Sequence, residues 1–301
     1  MLRPGLVLLL VLLLSPVARA DEFMTRTRWV MGTYLRIHLP ADRADLDTLF
    51  RSCFDMAQQW DNQLSPWQDT APLTRLSHAA GRWIALPADV MAYLERAKGD
   101  ARRSGGLFDI TLTWEGSAAM ELDPERGRAR VPRDLGPLDP GGDGKGVALD
   151  AMAEILRGAK VTQGLIDFGG SSYLALGSGP EGRGWPVALT GAGGQWLGTL
   201  RLRDTALSVS STVQRRRQED GTVQEKFHLI NLTTGEPVRA RRAAVVLAAS
   251  ATEAEVASTV AAITGEVDLE GFPAVSVGIF DEANPTPATR GRFTLFFEPL
   301  E

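Results

Sequence analysis

Apolar residues recur every three or four positions in four segments of the chain, and this spacing predicts amphipathic helices. A shorter fifth helix is predicted after the first one. Asp42 or Asp45 is placed to act as N-cap of the first helix. In the last helix, Thr252 and Glu255 have the spacing of a capping box, with Thr252 as the N-cap residue. The predicted helices cover residues 42–64, 73–80, 88–103, 147–157 and 252–263.

Runs rich in β-branched and aromatic residues predict strands, which are most frequent in the second half of the chain. Gly32 interrupts the first run, so it forms either two strands or one strand with a bulge. A Gly-Gly turn divides residues 163–177 into two strand-like runs, and residues 114–135 are predicted to be an exposed loop. Strands are predicted within residues 28–39, 82–87, 163–177, 185–189, 195–202, 206–210, 227–231, 243–249, 274–280 and 293–297.

A glycine-rich stretch from Leu138 to Asp150 reads LDPGGDGKGVALD and leads into the fourth predicted helix. Glycines let backbone N–H groups approach a ligand closely, and a helix N-terminus adds positive potential. The combination suits a phosphate or pyrophosphate, and the structural alternative is a tight turn that feeds a helix. It is not a Walker A loop, because Asp139 stands where its first glycine belongs and Gly146 follows Lys145.

A second glycine string, from Gly177 to Gly182, matches the pattern GxGxxG. In dinucleotide-binding folds this pattern connects a strand to a helix. Here Pro180 and the strand-like residues 185–189 leave no helix to follow it. We therefore interpret this string as a hairpin loop.

Three further side chains have chemistry that could be functional or structural. Cys53 is the only cysteine, so the chain forms no internal disulfide, and its apolar helical surroundings predict an inert core thiol. His38 is predicted to be a strand-face residue rather than a ligand. Asp109 lies in an otherwise apolar run and is either a turn-maker or a ligand contact.

The first twenty residues have the features of a secretory signal peptide. Arg3 precedes an apolar run over residues 6–14, and Ala18-Arg19-Ala20 suits the cleavage site. We expect residues 1–20 to be removed, which leaves residues 21–301 as a periplasmic protein without a transmembrane segment. Asp21 rather than a cysteine comes directly after the cleavage site, so no lipid anchor is expected. The formal net charge of −5, with no basic stripe, argues against nucleic acid as a partner.

Six short segments, taken together, resemble the ApbE-type FAD:protein FMN transferases. Their order and spacing agree with that family over essentially the whole of residues 21–301. The resemblance implies an α+β fold of the ApbE/T-fold-like kind, in which mixed sheets pack with helices in a single catalytic domain. The segments are Met31–Thr33, Phe108–Thr111, Asp139–Asp150, Leu165–Gly170, His228–Pro237 and Ala254–Thr259.

The resemblance also implies a reaction, in which FMN is moved from FAD onto a threonine or serine hydroxyl of an acceptor flavoprotein and AMP is released. His228 is then expected to activate the acceptor hydroxyl, and Lys145 to assist catalysis. A Mg²⁺ ion is expected on the carbonyl of Gly144 and on the side chains of Glu255 and Thr259. The positions implied to line the FAD site are Met31, Asp109, Lys145, Asp150, Gly169 and Gly170.

The sequence departs from the family pattern at several of these segments. Glu255 replaces the usual aspartate, and Ser171-Ser172 stand where an acidic residue usually follows the Gly-Gly turn. Asn231-Leu232 replaces the usual Asp-Pro after the histidine. Asp143 lies in the glycine segment, where it opposes pyrophosphate binding unless it points away or joins the metal ligands. The alternatives to the transferase are an FAD pyrophosphatase, which would give FMN and AMP, and a catalytically impaired FAD-binding or scaffolding homologue.

Overall fold

The computed structural model describes residues 23–79, 81–218 and 220–291. The predicted signal peptide and the strand predicted at 293–297 lie outside these residues. No helix in the described ranges is long and apolar enough to cross a membrane. The helices are α1 (Leu46–Leu64), α2 (Pro72–Ser77), α3 (Ala88–Arg103), α4 (Gly144–Gly158) and α5 (Ala251–Thr264).

Seventeen strands occur in the described residues, and most of the predicted ones are confirmed within one or two residues. They are β1 (Phe23–Val30), β2 (Thr33–Pro40), β3 (Ile84–Ala85), β4 (Glu121–Asp123), β5 (Arg128–Arg130), β6 (Gly164–Phe168), β7 (Ser172–Leu176), β8 (Trp185–Thr190), β9 (Trp196–Leu202), β10 (Thr205–Ser211), β11 (Val213–Arg217), β12 (Val223–Phe227), β13 (Ile230–Asn231), β14 (Glu236–Pro237), β15 (Arg242–Ala248), β16 (Ser276–Asp281) and β17 (Asn284–Arg290).

Eight of these strands form one sheet in the order β1-β2-β6-β7-β10-β15-β16-β17. Every neighbouring pair in it is antiparallel. The other strands form four smaller sheets, β3-β5-β4, β8-β9, β11-β12 and β13-β14. The α+β class is therefore confirmed. Along the chain, the helices come between strands that pair in one antiparallel sheet.

Both faces of the central part of this sheet are buried, as alternation along β15 shows. Ala244 and Val246 belong to the core on the helical side, whereas Val245 belongs to a second core under β8 and β9. Trp185 from β8 and Leu202 from β9 pack into that second core. Successive side chains of a strand point to opposite faces, so a sheet covered on both faces has continuous apolar strands.

Helix α5 is buried on nearly all sides, because it packs against β10, β15 and α4. Small residues allow this close approach, and alanines make up much of its length. The capping box predicted from Thr252 is wrong. Ser250 is the N-cap, and its Oγ accepts a hydrogen bond from Glu253 N at 3.2 Å. Thr252 and Glu255 are thereby free to make contacts with α4.

Helix α4 begins at Gly144, three residues earlier than predicted, so the glycine-rich stretch enters the helix itself. Gly146 lies where α4 and α5 meet. A Cβ on Gly146 would lie 2.7 Å from Thr252 Cα and 2.8 Å from Ala251 O. Only glycine lets these two helices approach to this distance.

Three other expectations have clear outcomes. Residues 114–135 were predicted as a loop, but they contain the short strands β4 and β5, which pair with each other, and β5 also pairs with β3. The string from Gly177 to Gly182 connects two strands, β7 and β8, and no helix follows it, as predicted. The hairpin interpretation is wrong, because β7 pairs with β6 and β10 whereas β8 pairs with β9 in a separate sheet. Cys53 is fully buried in α1, and burial raises the pKa of its thiol to about 12, so it is inert as predicted.

Candidate functional site

A cavity of about 610 Å³ opens where the start of α4, the strand β10 and the helix α5 meet. Five of the residues singled out from the sequence line it. They come from segments that are far apart along the chain, so the fold alone brings them together. The five are Asp109, Lys145, His228, Glu255 and Thr259.

Lys145 and Glu255 form an ion pair on the wall of this cavity. Lys145 Nζ lies 2.5 Å from Glu255 Oε1 and 3.1 Å from Ser172 Oγ. Ser172 Oγ in turn donates to the same Glu255 oxygen at 2.5 Å. The side chain of Glu255 is only 3% exposed, whereas that of Lys145 is 25% exposed. Lys145 therefore stands between a buried carboxylate and the open cavity.

The second carboxylate oxygen of Glu255 is held by the backbone. Gly146 N donates to Glu255 Oε2 at 2.7 Å, which the absence of a side chain on Gly146 makes possible. A buried charge needs a partner and hydrogen bonds to offset its lost hydration. The Glu255 carboxylate has both, so its position is fixed before any ligand binds.

Hydroxyl groups from α5 and β10 form a cluster beside Glu255. Ser258 Oγ lies 2.9 Å from Ser208 Oγ and 2.7 Å from Ser210 Oγ. Thr259 Oγ1 donates to the carbonyl oxygen of Glu255 at 3.0 Å and lies 3.4 Å from Ser210 Oγ. Ser208, Ser210 and Thr259 also line the cavity, so it offers several neutral oxygen atoms to a ligand.

His228 lies at the open side of the cavity, between the strands β12 and β13. Partial burial against the surrounding protein lowers the pKa of His228, and the neighbouring Lys226 ammonium lowers it further. The imidazole is therefore neutral at neutral pH. A neutral imidazole can accept a proton from a hydroxyl group.

Asp109 is a turn-maker and also lines the cavity, so the two interpretations of it are compatible. Its Oδ1 accepts hydrogen bonds from Thr111 N and Thr111 Oγ1, and its Oδ2 accepts one from Ser117 N. The loop that it organises carries Leu112 into the cavity wall with a φ of +52°. A non-glycine residue in this backbone region is uncommon and is found at turns and functional sites.

Asp143 points away from the cavity, which resolves how this carboxyl is tolerated in the glycine-rich segment. It is fully buried, and its Oδ1 accepts a hydrogen bond from Tyr93 of α3 at 3.0 Å. Burial raises the pKa of the Asp143 carboxyl to about 8, although the Arg96 guanidinium opposes the shift. Asp143 is thus mostly protonated at neutral pH and adds little negative charge near Lys145.

Five residues predicted for the site do not line the cavity in the described structure. Asp150 instead accepts hydrogen bonds from Ala251 N, Thr252 N and Thr252 Oγ1 at 2.7, 3.0 and 2.7 Å. Its carboxylate holds the first turn of α5, where the helix dipole favours negative charge. Asp150 therefore positions Glu255, which follows one turn later. The five are Met31, Gly144, Asp150, Gly169 and Gly170.

The Gly-Gly turn and Met31 support the site from outside. Gly169 and Gly170 have φ values of +70° and +69° and connect β6 to β7, which places Ser172 opposite Glu255. Met31 lies in the turn between β1 and β2, and its Cε is 3.4 Å from where a Cβ of Gly144 would be. Met31 thus packs behind the first residue of α4.

The donor atoms around Glu255 fit a magnesium ion that binds together with a phosphorylated ligand. Mg²⁺ prefers oxygen ligands and is usually held by one or two carboxylates plus substrate phosphates and water. The described residues include no group of three or more His, Cys, Asp or Glu side chains that could hold a metal alone. Glu255 and the Thr259 hydroxyl supply hard oxygens one helical turn apart. The Lys145 ammonium, however, now occupies the accessible side of the carboxylate.

Two features of the site were missed from the sequence. Ser172 was noticed only as a difference from a family pattern, and its contact with Glu255 depends on the packing of β7 against α5. Ser208 and Ser210 occupy alternate positions of β10, on either side of Val209. Hydroxyls on one face of a buried strand need partners, so this pattern was a usable signal of a polar site.

Several solved structures are similar to this chain in fold. The crystal structure of the ApbE protein of Thermotoga maritima is similar with a TM-score of 0.75 and 18% identity, over 89% of this chain and 96% of that one. The apo flavinyl transferase ApbE of Pseudomonas stutzeri matches with a TM-score of 0.72 and 18% identity, over 90% and 94%.

The flavin transferase ApbE of Vibrio cholerae matches with a TM-score of 0.72 and 17% identity, over 89% of this chain and 96% of that one. No curated protein sequence matches the chain. At these identities the solved structures establish the fold. The sequence model of the ApbE family matches residues 31–272, which includes every element of the cavity. The chain therefore belongs to the ApbE family.

Proposed function

We propose that this protein is a Mg²⁺-dependent transferase that moves FMN from FAD onto a threonine or serine hydroxyl of an acceptor flavoprotein and releases AMP. Membership of the ApbE family supports flavin transfer to proteins as the activity. One observation carries the assignment to this site. Lys145, His228, Glu255 and Thr259 come from three separate parts of the chain and line the same cavity.

The proposed reaction is a displacement at phosphorus. The acceptor oxygen forms a bond to the phosphorus of the FMN portion, and the bond from that phosphorus to the oxygen shared with AMP breaks. His228 takes the proton of the acceptor hydroxyl, and AMP leaves with the bridging oxygen. The lowered pKa of His228 keeps its ring ready to accept a proton at neutral pH. Such general-base assistance typically contributes roughly 10²–10⁴-fold.

Lys145 supplies positive charge to the diphosphate. Lys145 and Arg215 are the cationic side chains among the described residues that line the cavity. Arg215 is held away by Glu225, at 3.2 Å, and by Gly193 O. Catalysts of phosphoryl transfer act mainly by positioning and by offsetting charge on the phosphoryl oxygens, so Lys145 is suited to both tasks.

Glu255 and Thr259, with the backbone carbonyl of Gly144, are the residues that we propose for the magnesium ion. When bound, the ion would offset negative charge on the diphosphate oxygens. Glu255 reaches one methylene further than the usual aspartate of the family, and Gly146 N and Ser172 Oγ fix where that longer side chain ends.

The partner that this function requires is an acceptor flavoprotein of an electron-transfer system. We propose that the enzyme and its acceptor meet in the periplasm, because the first twenty residues have the pattern of a signal peptide. FAD is then a substrate of the reaction rather than a permanently bound cofactor.

The test is to incubate residues 21–301 with FAD, MgCl₂ and a candidate acceptor flavoprotein, and to measure the acceptor mass and the AMP formed. The expected result is one covalently added FMN per acceptor and an equal amount of AMP. The His228→Ala variant is expected to bind FAD and to lose most of the transfer.

Other outcomes would point to the alternatives. AMP formed at the same rate without any acceptor would indicate an FAD pyrophosphatase. FAD binding without turnover in Mg²⁺ or Mn²⁺, with several acceptors, would indicate a catalytically impaired homologue. Full transfer by His228→Ala would show that the imidazole does not act as the general base.

A further inference from the structure

The Glu255 carboxylate accepts from donors that come from different parts of the fold. Three donors reach its two oxygens: Lys145 Nζ and Ser172 Oγ at Oε1, and Gly146 N at Oε2. Two of these donors are neutral and nearly inaccessible, since Ser172 is 1% exposed and Gly146 is buried. Only Lys145 carries charge, and only Lys145 reaches the carboxylate from the cavity.

Lys145 thus has the position that any second cation would need. A carboxylate that is 3% exposed is costly without a compensating charge, and the ammonium supplies that charge in the protein without nucleotide. Two cations on the same carboxylate oxygen would repel each other strongly in a partly buried site. A divalent ion and the Lys145 ammonium are therefore alternatives at Glu255 rather than companions.

We propose that Lys145 is a resident competitor of the divalent cation: it holds Glu255 in the nucleotide-free protein and gives up this carboxylate when a diphosphate enters the cavity. The inference rests on the proposed function insofar as that function places a metal at Glu255 and a diphosphate beside Lys145. It adds an order of events that makes metal binding depend on the nucleotide.

A diphosphate provides the alternative partner that Lys145 needs. Its side chain is one quarter exposed and lines the cavity, so the ammonium can turn toward a ligand there. The lysine side chain has a flexible stem and a compact charge, which suits such an exchange of partners. Arg215 is the other cation of the cavity wall, and its contacts with Glu225 and Gly193 keep it occupied.

Ser172 and Gly146 explain why the carboxylate keeps its place during the exchange. When Lys145 leaves, Ser172 Oγ still donates to Oε1 and Gly146 N still donates to Oε2. Glu255 thereby remains oriented for a new cation. Ser172 is thus a positioning residue, which acts through Glu255 and touches neither the metal nor the nucleotide in this proposal.

Competition at one carboxylate requires a reciprocal coupling between metal and nucleotide. In the wild type, a diphosphate frees Glu255 and so strengthens metal binding. In a variant that lacks the Lys145 ammonium, Glu255 is free from the start. Metal binding should then be tight without nucleotide and should gain less when nucleotide is added.

The experiment measures Mn²⁺ binding to the flavin-free protein by electron paramagnetic resonance, with and without ADP as a diphosphate probe. Lys145→Met is expected to bind Mn²⁺ more tightly than the wild type without ADP, by roughly the 5- to 150-fold of an ordinary coupling. ADP is expected to strengthen Mn²⁺ binding in the wild type and much less in Lys145→Met. Lys160→Met, which removes an exposed lysine just beyond α4, is the matched control and should behave as wild type.

Equal or weaker Mn²⁺ binding by Lys145→Met overturns the proposal, as does the lack of any Mn²⁺ binding to the wild type and all variants. Glu255→Gln should abolish the tight binding of Mn²⁺, and that result would confirm that the ion binds at Glu255. If Lys145→Met does not fold, the proposal can still be tested on the wild type. Mn²⁺ with ADP should change the reactivity of Lys145 toward acetylation, read by mass spectrometry, and an unchanged reactivity also overturns the proposal.

These measurements need neither FAD turnover nor an acceptor. If Mn²⁺ binding follows the prediction and no FMN is transferred to any acceptor, the competition stands and the proposed function fails. If FMN is transferred but Lys145→Met binds Mn²⁺ no better than the wild type, the function stands and the competition fails.

Discussion

Asp150 in α4 and Thr252 in α5 are joined by two hydrogen bonds, in which Asp150 Oδ2 accepts from Thr252 N at 3.0 Å and from Thr252 Oγ1 at 2.7 Å. Asp150 Oδ1 accepts a third bond from Ala251 N at 2.7 Å. The start of α5 is thus fixed by a side chain that lies 102 residues earlier in the sequence. Glu255 follows one turn after Thr252, so the same contact sets the position of the carboxylate in the cavity.

Asp150→Ala should destabilise the protein by about 1–3 kcal/mol, because it leaves two backbone N–H groups and one hydroxyl at a buried helix start without an acceptor. Asp150→Asn should cost less, since an amide oxygen can still accept. Urea unfolding measures both. Asp134→Ala, at an exposed aspartate, is the control and should change little. A stability of Asp150→Ala equal to that of the control would show that the contact contributes nothing.

Gly146→Ala should destabilise the protein by about 1–3 kcal/mol through overpacking. The new Cβ would meet the backbone of Thr252 and Ala251 below 3 Å, and backbone cannot move aside as a flexible side chain can. The same helix offers a matched control, because a Cβ on Gly158 meets nothing within 4 Å. Gly158→Ala should be neutral or stabilising by up to about 1 kcal/mol. Similar unfolding midpoints for the two variants would contradict the close helix contact.

The buried carboxyl of Asp143 should make stability depend on pH. Its pKa is raised to about 8 in the folded protein, whereas the ordinary value is 3.8. Between these values the folded state holds a proton that the unfolded state has released, so this group favours the folded state less and less as pH rises from about 4 to about 8.

Asp143→Asn removes this titration and keeps an oxygen that can accept the Tyr93 hydrogen bond. The variant should therefore gain stability relative to the wild type as pH increases, by at least about 1 kcal/mol more at pH 8 than at pH 5. Thermal melts at a series of pH values measure the difference. Asp69→Asn, at an exposed site, should show no such trend. A pH-independent difference for Asp143→Asn would mean that the carboxyl is ionised in the folded state.

The proposed role of His228 has its own pH signature. A general base must be unprotonated, so transfer should decline only when the pH falls through a pKa below the usual 6.5 of histidine. The Lys226 ammonium contributes to this lowered pKa. Lys226→Gln should therefore move the acid limb of the profile of kcat/KM against pH toward higher pH. Lys160→Gln is the control. An acid limb that stays in place in both variants would show that Lys226 does not lower the pKa of the group that limits transfer.

Much of the architecture could be predicted from the sequence because its signals are local. The spacing of apolar residues predicted α3 with its observed bounds, and the Gly-Gly pair predicted the turn between β6 and β7. A helix face and a turn conformation depend on residues that are close in sequence. The inert state of Cys53 could be predicted for the same reason, since it follows from the apolar pattern of α1.

The errors occurred where one segment depends on another that is distant in sequence. Thr252 has the correct residue type and spacing for a cap, yet Asp150 binds its hydroxyl and Ser250 takes the capping position instead. A capping box is a local pattern, and it cannot register that a carboxylate from α4 competes for the same hydroxyl. Residues 114–135 were likewise predicted as a loop because β4 and β5 become strands only by pairing with each other and with β3.

The sequence by itself determined the family, the class of fold and the chemical types expected at the site: one lysine, one histidine, carboxylates and the hydroxyl of Thr259. Only the tertiary structure decided how these groups are paired. Lys145 and Glu255 lie 110 residues apart, and their contact exists because α4 and α5 pack closely at Gly146. The direction of Asp143 away from the cavity depends in the same way on Tyr93 of α3. Pairings of this kind arise from the burial of charge between elements, and burial is a property of the folded chain.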